Sequence, residues 1–390
     1  MCTMNLEFCK YFFKYIFVGK NKQRLLLLSI AGLFISTFAL FVLQSTMGGL
    51  QNNQIIRMKR IQGEGVIYLS DKSYEFAKEV LDYLKARKIH AVSEVEIELM
   101  LRNKTYISPI ILHGINQDGL IPDFLQNIPL SDLVLPIDLA IKMDAQMGDA
   151  LQIITPAYAD TFLGDIPRST TAYIDYILST NVPEIDAFHA WTNIRLIWNL
   201  IRKKEINQIR VYNIVEMSSL KEELLAKFKG RLSVNLWEDE NKTLVMALNL
   251  ETTVMTFLFV AMTMLVSLCI TSGLMIFLGK VKHDFASFWI LGTSEKRLET
   301  MTYHFLNLLN LSTVFMGLLG GFIFLILLDK YGVEIMPDVF VDRKIPIYMT
   351  VRGALVSVLI PYVISMVFAY FSLSQFKKEV SYLDYVRTVG

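Results

Sequence analysis

Four runs of apolar side chains, at residues 25–43, 254–278, 305–328 and 354–371, constrain this chain more than any other feature. A bilayer core about 30 Å thick takes roughly 20 helical residues, and each run is near that length. In lipid only helices and closed barrels satisfy their own backbone polar groups, so runs of this kind read as membrane helices. Their spacing is uneven. One stands alone near the N-terminus, residues 44–253 follow, and the other three come close together.

With 390 residues, 53% of them hydrophobic, and a mean hydropathy of +0.41, the chain has the make-up of an integral membrane protein with a sizeable water-exposed part. The net charge of +1 offers no basic surface for nucleic acid. Where the charges sit is more telling. Lys10, Lys14, Lys20, Lys22 and Arg24 precede the first run, Lys280, Lys282, Lys296 and Arg297 lie between the second and third, and Lys377, Lys378 and Arg387 follow the fourth. With four crossings these three segments share one side, which the positive-inside rule makes cytoplasmic.

The expected architecture is therefore an α-helical four-helix membrane bundle, with a large α+β domain facing outward, inserted between the first and second spans; the family resemblance given below makes that outward side the periplasm. Its segments are a cytoplasmic amphipathic stretch (1–24), span one (25–50), the outward domain (51–250), span two (251–278) and a cytoplasmic loop (279–303). Span three (304–328), a short outward loop (329–351), span four (352–376) and a cytoplasmic tail (377–390) complete it. Residues 6–19 place Leu6, Cys9, Phe13 and Phe17 at helical spacing, with Lys10 and Lys14 off that line, as an interfacial helix would. The first run reads as a retained anchor, because it is long and Gln44-Ser45-Thr46-Met47 lacks a small-x-small cleavage pattern. Cys2, Cys9 and Cys269 all fall outside the outward domain, so no disulfide framework is expected there, and Cys269 is expected in helix packing.

Within 51–250 the first helix is expected to continue well past the membrane, and Leu244, Ala247, Leu248 and Glu251 extend the second in the same way. Ser73 should cap a helix running to about Lys88, with Ala77, Val80, Leu81 and Leu84 on one face. Val95, Ile97, Leu99 and Leu101 alternate with Glu94, Glu96 and Glu98, the pattern of a half-buried strand. Further strands are expected at 65–70, 106–112, 150–154, 173–178 and 208–215, and helices at 136–147, 186–201 and 219–228. Residues near 105–180 read as an outer subdomain. His90, His113, His189, His283 and His304 are scattered and form no metal-ligand spacing. Asp175, Glu184 and Asp186 are better read as surface charge than as a catalytic carboxylate pair, and no nucleophile–base constellation is seen.

Residues 284–291 read as a short helix along the membrane face, displaying Phe285, Phe288, Trp289 and Leu291 and stopped by Gly292. Such a knob needs a partner or lipid to cover it. No G-x-x-x-x-G-K-[ST] is present, so this chain binds no nucleotide by the usual loop, and any ATP and magnesium belong to another polypeptide. Residues 156–170 form a long connection between two strands, with Phe162, Leu163 and Ile166 beside Gly164 and Pro167. Gly317, Gly320 and Gly321 permit close helix approach, and Pro361 should kink the last span.

Three stretches in order resemble a known family. They are Ser45-Thr46-Met47-Gly48-Gly49-Leu50-Gln51, Leu236-Trp237-Glu238-Asp239-Glu240-Asn241-Lys242 followed by Ala247-Leu248-Asn249-Leu250-Glu251, and Asp284-Phe285-Ala286-Ser287-Phe288-Trp289-Ile290-Leu291-Gly292. They are similar to the membrane subunits of bacterial lipoprotein-releasing ABC transporters, the LolC/LolE family within the FtsX/MacB-like permeases. Leu373 and Tyr382 stand where that family usually has Pro, and only Val386-Arg387 of its tail remains.

The resemblance implies a non-enzymatic, multi-pass subunit of the bacterial inner membrane. Its implied partners are a LolD-like ATPase, a second LolC/LolE-like membrane subunit, a LolA-like periplasmic carrier and lipoprotein cargo. It makes Asp284, Phe285, Phe288, Trp289, Leu291 and Gly292 the coupling helix on the ATPase. Phe162, Leu163, Gly164, Asp165, Ile166, Pro167 and Arg168 match the carrier-binding hook of the LolC-type subunit, with Asp165 in place of its Arg. Phe41, Met47 and Leu50 of span one, with Met255 and Phe259 of span two, become candidates for holding acyl chains, together with Phe34 and Met262. Two other readings stay open: an FtsX/MacB-like subunit with another cargo or a cell-wall hydrolase target, and a membrane-anchored periplasmic sensor or binding protein.

Overall fold

The computed structural model describes residues 24–117, 119–160, 166–214, 216–332 and 344–379. The expected N-terminal interfacial helix, Phe162 to Asp165 of the hook, Cys2, Cys9, Tyr382 and much of 329–351 lie outside them. The chain divides into two compact units: one is Asn53–Ala247, and the other joins the residues up to Asn52 to those from Leu248 on.

Among the described residues, four helices are long and apolar enough to cross a membrane. They begin with α1 (Arg24–Gln62), 39 residues. Between α1 and the next long helix come β1 (Gly65–Leu69), α2 (Tyr74–Ala86), β2 (His90–Asn103), β3 (Tyr106–Ile115), β4 (Leu133–Pro136), α3 (Ile137–Lys142) and β5 (Ala150–Asp160). Then follow β6 (Ile166–Leu178), α4 (Pro183–Phe188), β7 (His189–Asn193), α5 (Ile194–Ile201), β8 (Gln208–Tyr212), α6 (Met217–Lys227), β9 (Leu232–Leu236) and α7 (Trp237–Glu240). The remaining long helices are α8 (Lys242–Ile290), α9 (Glu295–Tyr331) and α10 (Val351–Glu379). At 1.5 Å per residue α1 is about 58 Å long and α8 about 73 Å, far more than a bilayer core of about 30 Å. Both helices thus run on as helix beyond their apolar runs.

In the bundle unit, Leu26 and Leu33 of α1, Leu274, Phe277 and Val281 of α8, Leu298, Phe305 and Val314 of α9 and Ala369 of α10 form one buried cluster. Glycines let α9 close on α1. A Cβ on Gly317 would lie 2.8 Å from the Phe34 carbonyl oxygen and 2.9 Å from Thr37 Cβ. Polar links add to this: Ser29 Oγ donates to the Cys269 carbonyl at 3.0 Å, and Tyr362 OH donates to Asn307 Oδ1 at 2.7 Å. Elsewhere the helices turn apolar side chains outward, Phe257 and Phe315 among them, as lipid-facing surfaces do. Cys269 belongs to that exposed surface and not to the packing expected of it.

The α+β unit is built on one nine-stranded sheet in the order β3-β7-β4-β6-β5-β2-β8-β1-β9. β2 also pairs with β3, which closes six of the strands into a ring. Its length makes this possible. On one edge His90–Glu94 meets β8 and Met100–Arg102 meets β5, while the other edge holds β3 from Glu94 to Asn103. Alternate residues of the ring strands, including Leu99, Leu112, Leu135, Ile153, Ile174 and Ala190, gather in one core. α2 packs there through Phe76, Ala77, Val80 and Leu84, and Ser73 Oγ accepts from Phe76 N at 3.3 Å as its cap. Fully burying a Val or Leu side chain contributes about 1.5–3 kcal/mol, so this face dominates the helix's contribution. A second core joins Met58 and Ile61 of α1 to Val92, Trp191, Tyr212 and Trp237.

Several sequence expectations are corrected. The expected helix at 186–201 is α4, then strand β7, then α5. That at 136–147 is only the six residues of α3. The 105–180 stretch is not set apart as an outer subdomain, because its strands belong to the one nine-stranded sheet. The connection expected at 156–170 is mostly strand: Asp160 pairs with Ile166 and Ala159 with Pro167. Residues 284–291 are not a separate surface helix, because α8 continues through Gly279 to Ile290. The loop expected at 279–303 shrinks to the few residues before α9, whose N-cap is Ser294.

Candidate functional site

The helix-bundle unit contains a cavity of about 580 Å³. One wall is α1 from Leu43 to Gln51, a second is α8 from Asn249 to Phe259, and a third is the start of α10 with Arg352, Gly353 and Val356. Polar and apolar groups share the lining: Gln44, Thr252, Thr256 and Arg352 stand beside Met47, Met255 and Phe259. Gln51 Nε2 donates to Glu251 Oε2 at 3.0 Å and ties α1 to α8 there. On α1's other flank, Gly49 allows the 346–348 segment to touch the helix. A Cβ at Gly49 would lie 2.1 Å from the Pro346 carbonyl oxygen, and Tyr348 N donates to the Ser45 carbonyl at 3.0 Å.

Of the residues assigned to acyl chains, the cavity gathers Met47, Met255 and Phe259. Phe41 is buried against Gly321, Phe34 lies against Gly320, Leu50 is half-buried outside the lining, and Met262 is exposed on α8. At the coupling segment Gly292 does end the helix. It has φ +93°, its N–H donates to the Trp289 carbonyl at 2.9 Å, and Thr293 N donates to the Phe288 carbonyl at 3.1 Å. Phe285 points into the bundle core and is not displayed, and Phe288 and Trp289 pack on that core's edge. The exposed apolar groups at this end are Ile290 and Leu291, the latter 81% exposed. Of the hook, Pro167 is exposed within β6, and Arg168 Nη1 donates to the Ile201 carbonyl at the end of α5, 2.9 Å away.

A second site, in the α+β unit, was missed by sequence reasoning. Glu94 and Glu96 of β2, two residues apart, share a face with Gln208 and Arg210 of β8. His113 pairs with Glu96 across β2–β3, and β7 runs beside β3, carrying His189 and Trp191. Arg210 Nε bonds Glu94 Oε1, its Nη2 lies 2.6 Å from Glu96 Oε2, and its Nη1 donates to the Gln62 carbonyl at 2.9 Å. Gln208 Nε2 donates to Glu94 Oε1 at 2.6 Å and to Glu96 Oε2 at 2.8 Å. Glu94 is therefore no solvent-facing residue, as alternation suggested, but is 2% exposed.

Burial would raise the Glu94 carboxyl, but the Arg210 charge, with help from His113, outweighs it and holds it at about 2. Burial first, then the neighbouring His113, pushes His189 down to about 3. Burial works against the Arg210 charge as well, yet Glu94 and Glu96 outweigh it and raise its pKa. His113 Nε2 and His189 Nδ1 are 2.8 Å apart, so two of the scattered histidines meet through strand pairing. Asp186, by contrast, is buried as a cap on the Thr180 turn, with Thr180 N donating to its Oδ1 at 3.0 Å, and Asp175 accepts from Asp132 N.

The fold of the described residues defines a class: a multi-pass membrane protein with four apolar helices and an α+β unit inserted, in chain order, between the first and second. Among known proteins, the chain is similar to the lipoprotein-releasing system transmembrane protein LolC of Neisseria meningitidis serogroup B, with 22% identity over 69% of each chain. The resemblance to LolC-type membrane subunits read from the sequence is thus matched by a relative of that name. No family model matches. A solved structure, the extracellular domain of the noncanonic ABC-type transporter YknZ from Gram-positive bacteria, covers 44% of this chain at 11% identity. Its TM-score of 0.28 is too low to bear on the fold.

Proposed function

We infer that this chain is the permease subunit of an ABC transporter that draws lipoproteins out of the inner membrane and hands them to a periplasmic carrier. A separate ATPase drives it from the cytoplasmic face, and a second, related membrane subunit completes the path. The observation that most supports this is the cavity between α1, α8 and the start of α10, where flexible Met47 and Met255 and the ring of Phe259 stand beside Gln44, Thr256 and Arg352. Such a lining suits a ligand with acyl chains and a polar head. In this reading the levers are α1 and α8, each of which is shared in sequence between the bundle and the α+β unit. Leu291 and Ile290 are the exposed apolar groups through which an ATPase would grip α8.

The test is photo-crosslinking in cells, with the reactive residue at Phe259 in the cavity or at Phe257, which faces outward. Position 259 should capture a triacylated lipoprotein, position 257 should not, and a lipoprotein lacking its acyl chains should be lost. Capture of a non-acylated partner alone would favour the FtsX/MacB-like reading, and capture of nothing would contradict the cavity's role.

A further inference from the structure

The geometry points to a divalent transition-metal site of the zinc class in the α+β unit, held by His113 Nδ1, Glu94 Oε2 and Glu96 Oε2. The three ligand-bearing side chains place these atoms within 4.8 Å of one another. His113 Nδ1 has no hydrogen-bond partner although its side chain is 5% exposed. It faces Glu94 Oε2 at 3.6 Å and Glu96 Oε2 at 3.5 Å. Those separations are too long for an N–H···O bond, which closes to about 2.7–3.2 Å. They do match the edge of a tetrahedron whose bonds to the metal are about 2.0–2.2 Å.

The surroundings fit an ion as well. The other ring nitrogen of His113 meets His189 Nδ1 at 2.8 Å, the kind of outer hydrogen bond that orients a metal-binding imidazole. Gln208 and Arg210 donate to Glu94 at Oε1, which leaves its Oε2 open, and to Glu96 at Oε2 itself, so an ion there would share that oxygen with them. Arg210 offsets one of the two carboxylate charges, which leaves one negative charge in a largely buried place. Beside Glu94 and His113 lies a cavity of about 10 Å³, room for one small ligand such as water to complete the coordination. An ion here would lock β2, β3 and β8 together next to Gln62, whose carbonyl Arg210 also holds.

The test uses tag-free, chelator-stripped full-length protein in detergent, titrated with cobalt(II) as a coloured stand-in for zinc. A single saturable cobalt with nitrogen and oxygen ligands should appear, and zinc should displace it and raise the thermal midpoint. His113→Gln should weaken binding at least about tenfold. Glu96→Gln, at the more exposed ligand, should do the same with less risk to folding. Absence of saturable binding, binding untouched by both variants, or a thiolate-to-cobalt band placing the ion on cysteine would each overturn the proposal.

Discussion

At the scale of single residues, Arg210 and Glu94 form a buried ion pair in the α+β unit. Removing one partner of such a pair leaves an uncompensated charge and costs about 3–5 kcal/mol, whereas replacing both by apolar groups of similar size costs far less. Arg210→Met should therefore lower the thermal midpoint strongly, and Glu94→Leu with Arg210→Met should recover much of the loss; equal losses would contradict the pairing. The pH dependence follows from the same cluster. His189 is held at about 3 against an ordinary 6.5, so between those values the unfolded chain binds a proton that the folded chain does not. Its stability contribution is complete above about pH 6.5 and falls as the pH drops through that value. Glu94, at about 2 against 4.5, adds a second loss below pH 4.5. Metal-free protein should melt lower at pH 5 than at pH 7, and His189→Gln should flatten that difference. None of this was legible in the sequence, because His113 and His189 are 76 positions apart and only the parallel β3–β7 pairing joins them. The alternation of Glu94, Glu96 and Glu98 was legible, but alternation alone does not say that the glutamate face is covered.

At the scale of elements, two glycines on the long helices should respond in opposite ways. Gly317→Val pushes a side chain against Phe34 and Thr37 and should destabilise the bundle by about 1–3 kcal/mol, read as a lower thermal midpoint. Gly279 lies inside α8 with nothing within 4 Å of a built Cβ, so Gly279→Ala should raise stability, by up to about 1 kcal/mol. A loss at Gly279 would mean that the helix breaks there, as a loop over 279–303 requires. The long helices were legible because runs of apolar residues of that length have few alternatives in folding. The short elements were not. His189-Ala190-Trp191-Thr192-Asn193 fits a helical stripe as well as a strand, and its neighbours β3 and β4, not its own pattern, make it β7. Likewise the 156–170 stretch reads as a long connection, with Gly164 and Pro167 stiffening it, yet most of it is paired: the register shifts between Thr155 and Ala159, and Pro167 is taken up beyond that shift.

At the scale of the whole molecule, the account rests on a chain that receives force on one side of a membrane and acts on the other. Four apolar helices, basic flanks at both ends and beside the second helix's exit, and the similarity to LolC all favour that arrangement. If Leu291 helps grip an ATPase, Leu291→Asp should abolish copurification with it while leaving the thermal midpoint nearly unchanged, since the side chain is exposed. The most direct measurement is membrane-impermeant thiol labelling in a background with Cys2, Cys9 and Cys269 replaced by Ser. One cysteine is placed at Thr105, on the exposed β2–β3 turn, and another at Leu291, after α8. The account predicts that Thr105→Cys labels once the outer membrane is opened, while Leu291→Cys labels only after the inner membrane is broken; labelling of both from the same side would contradict it.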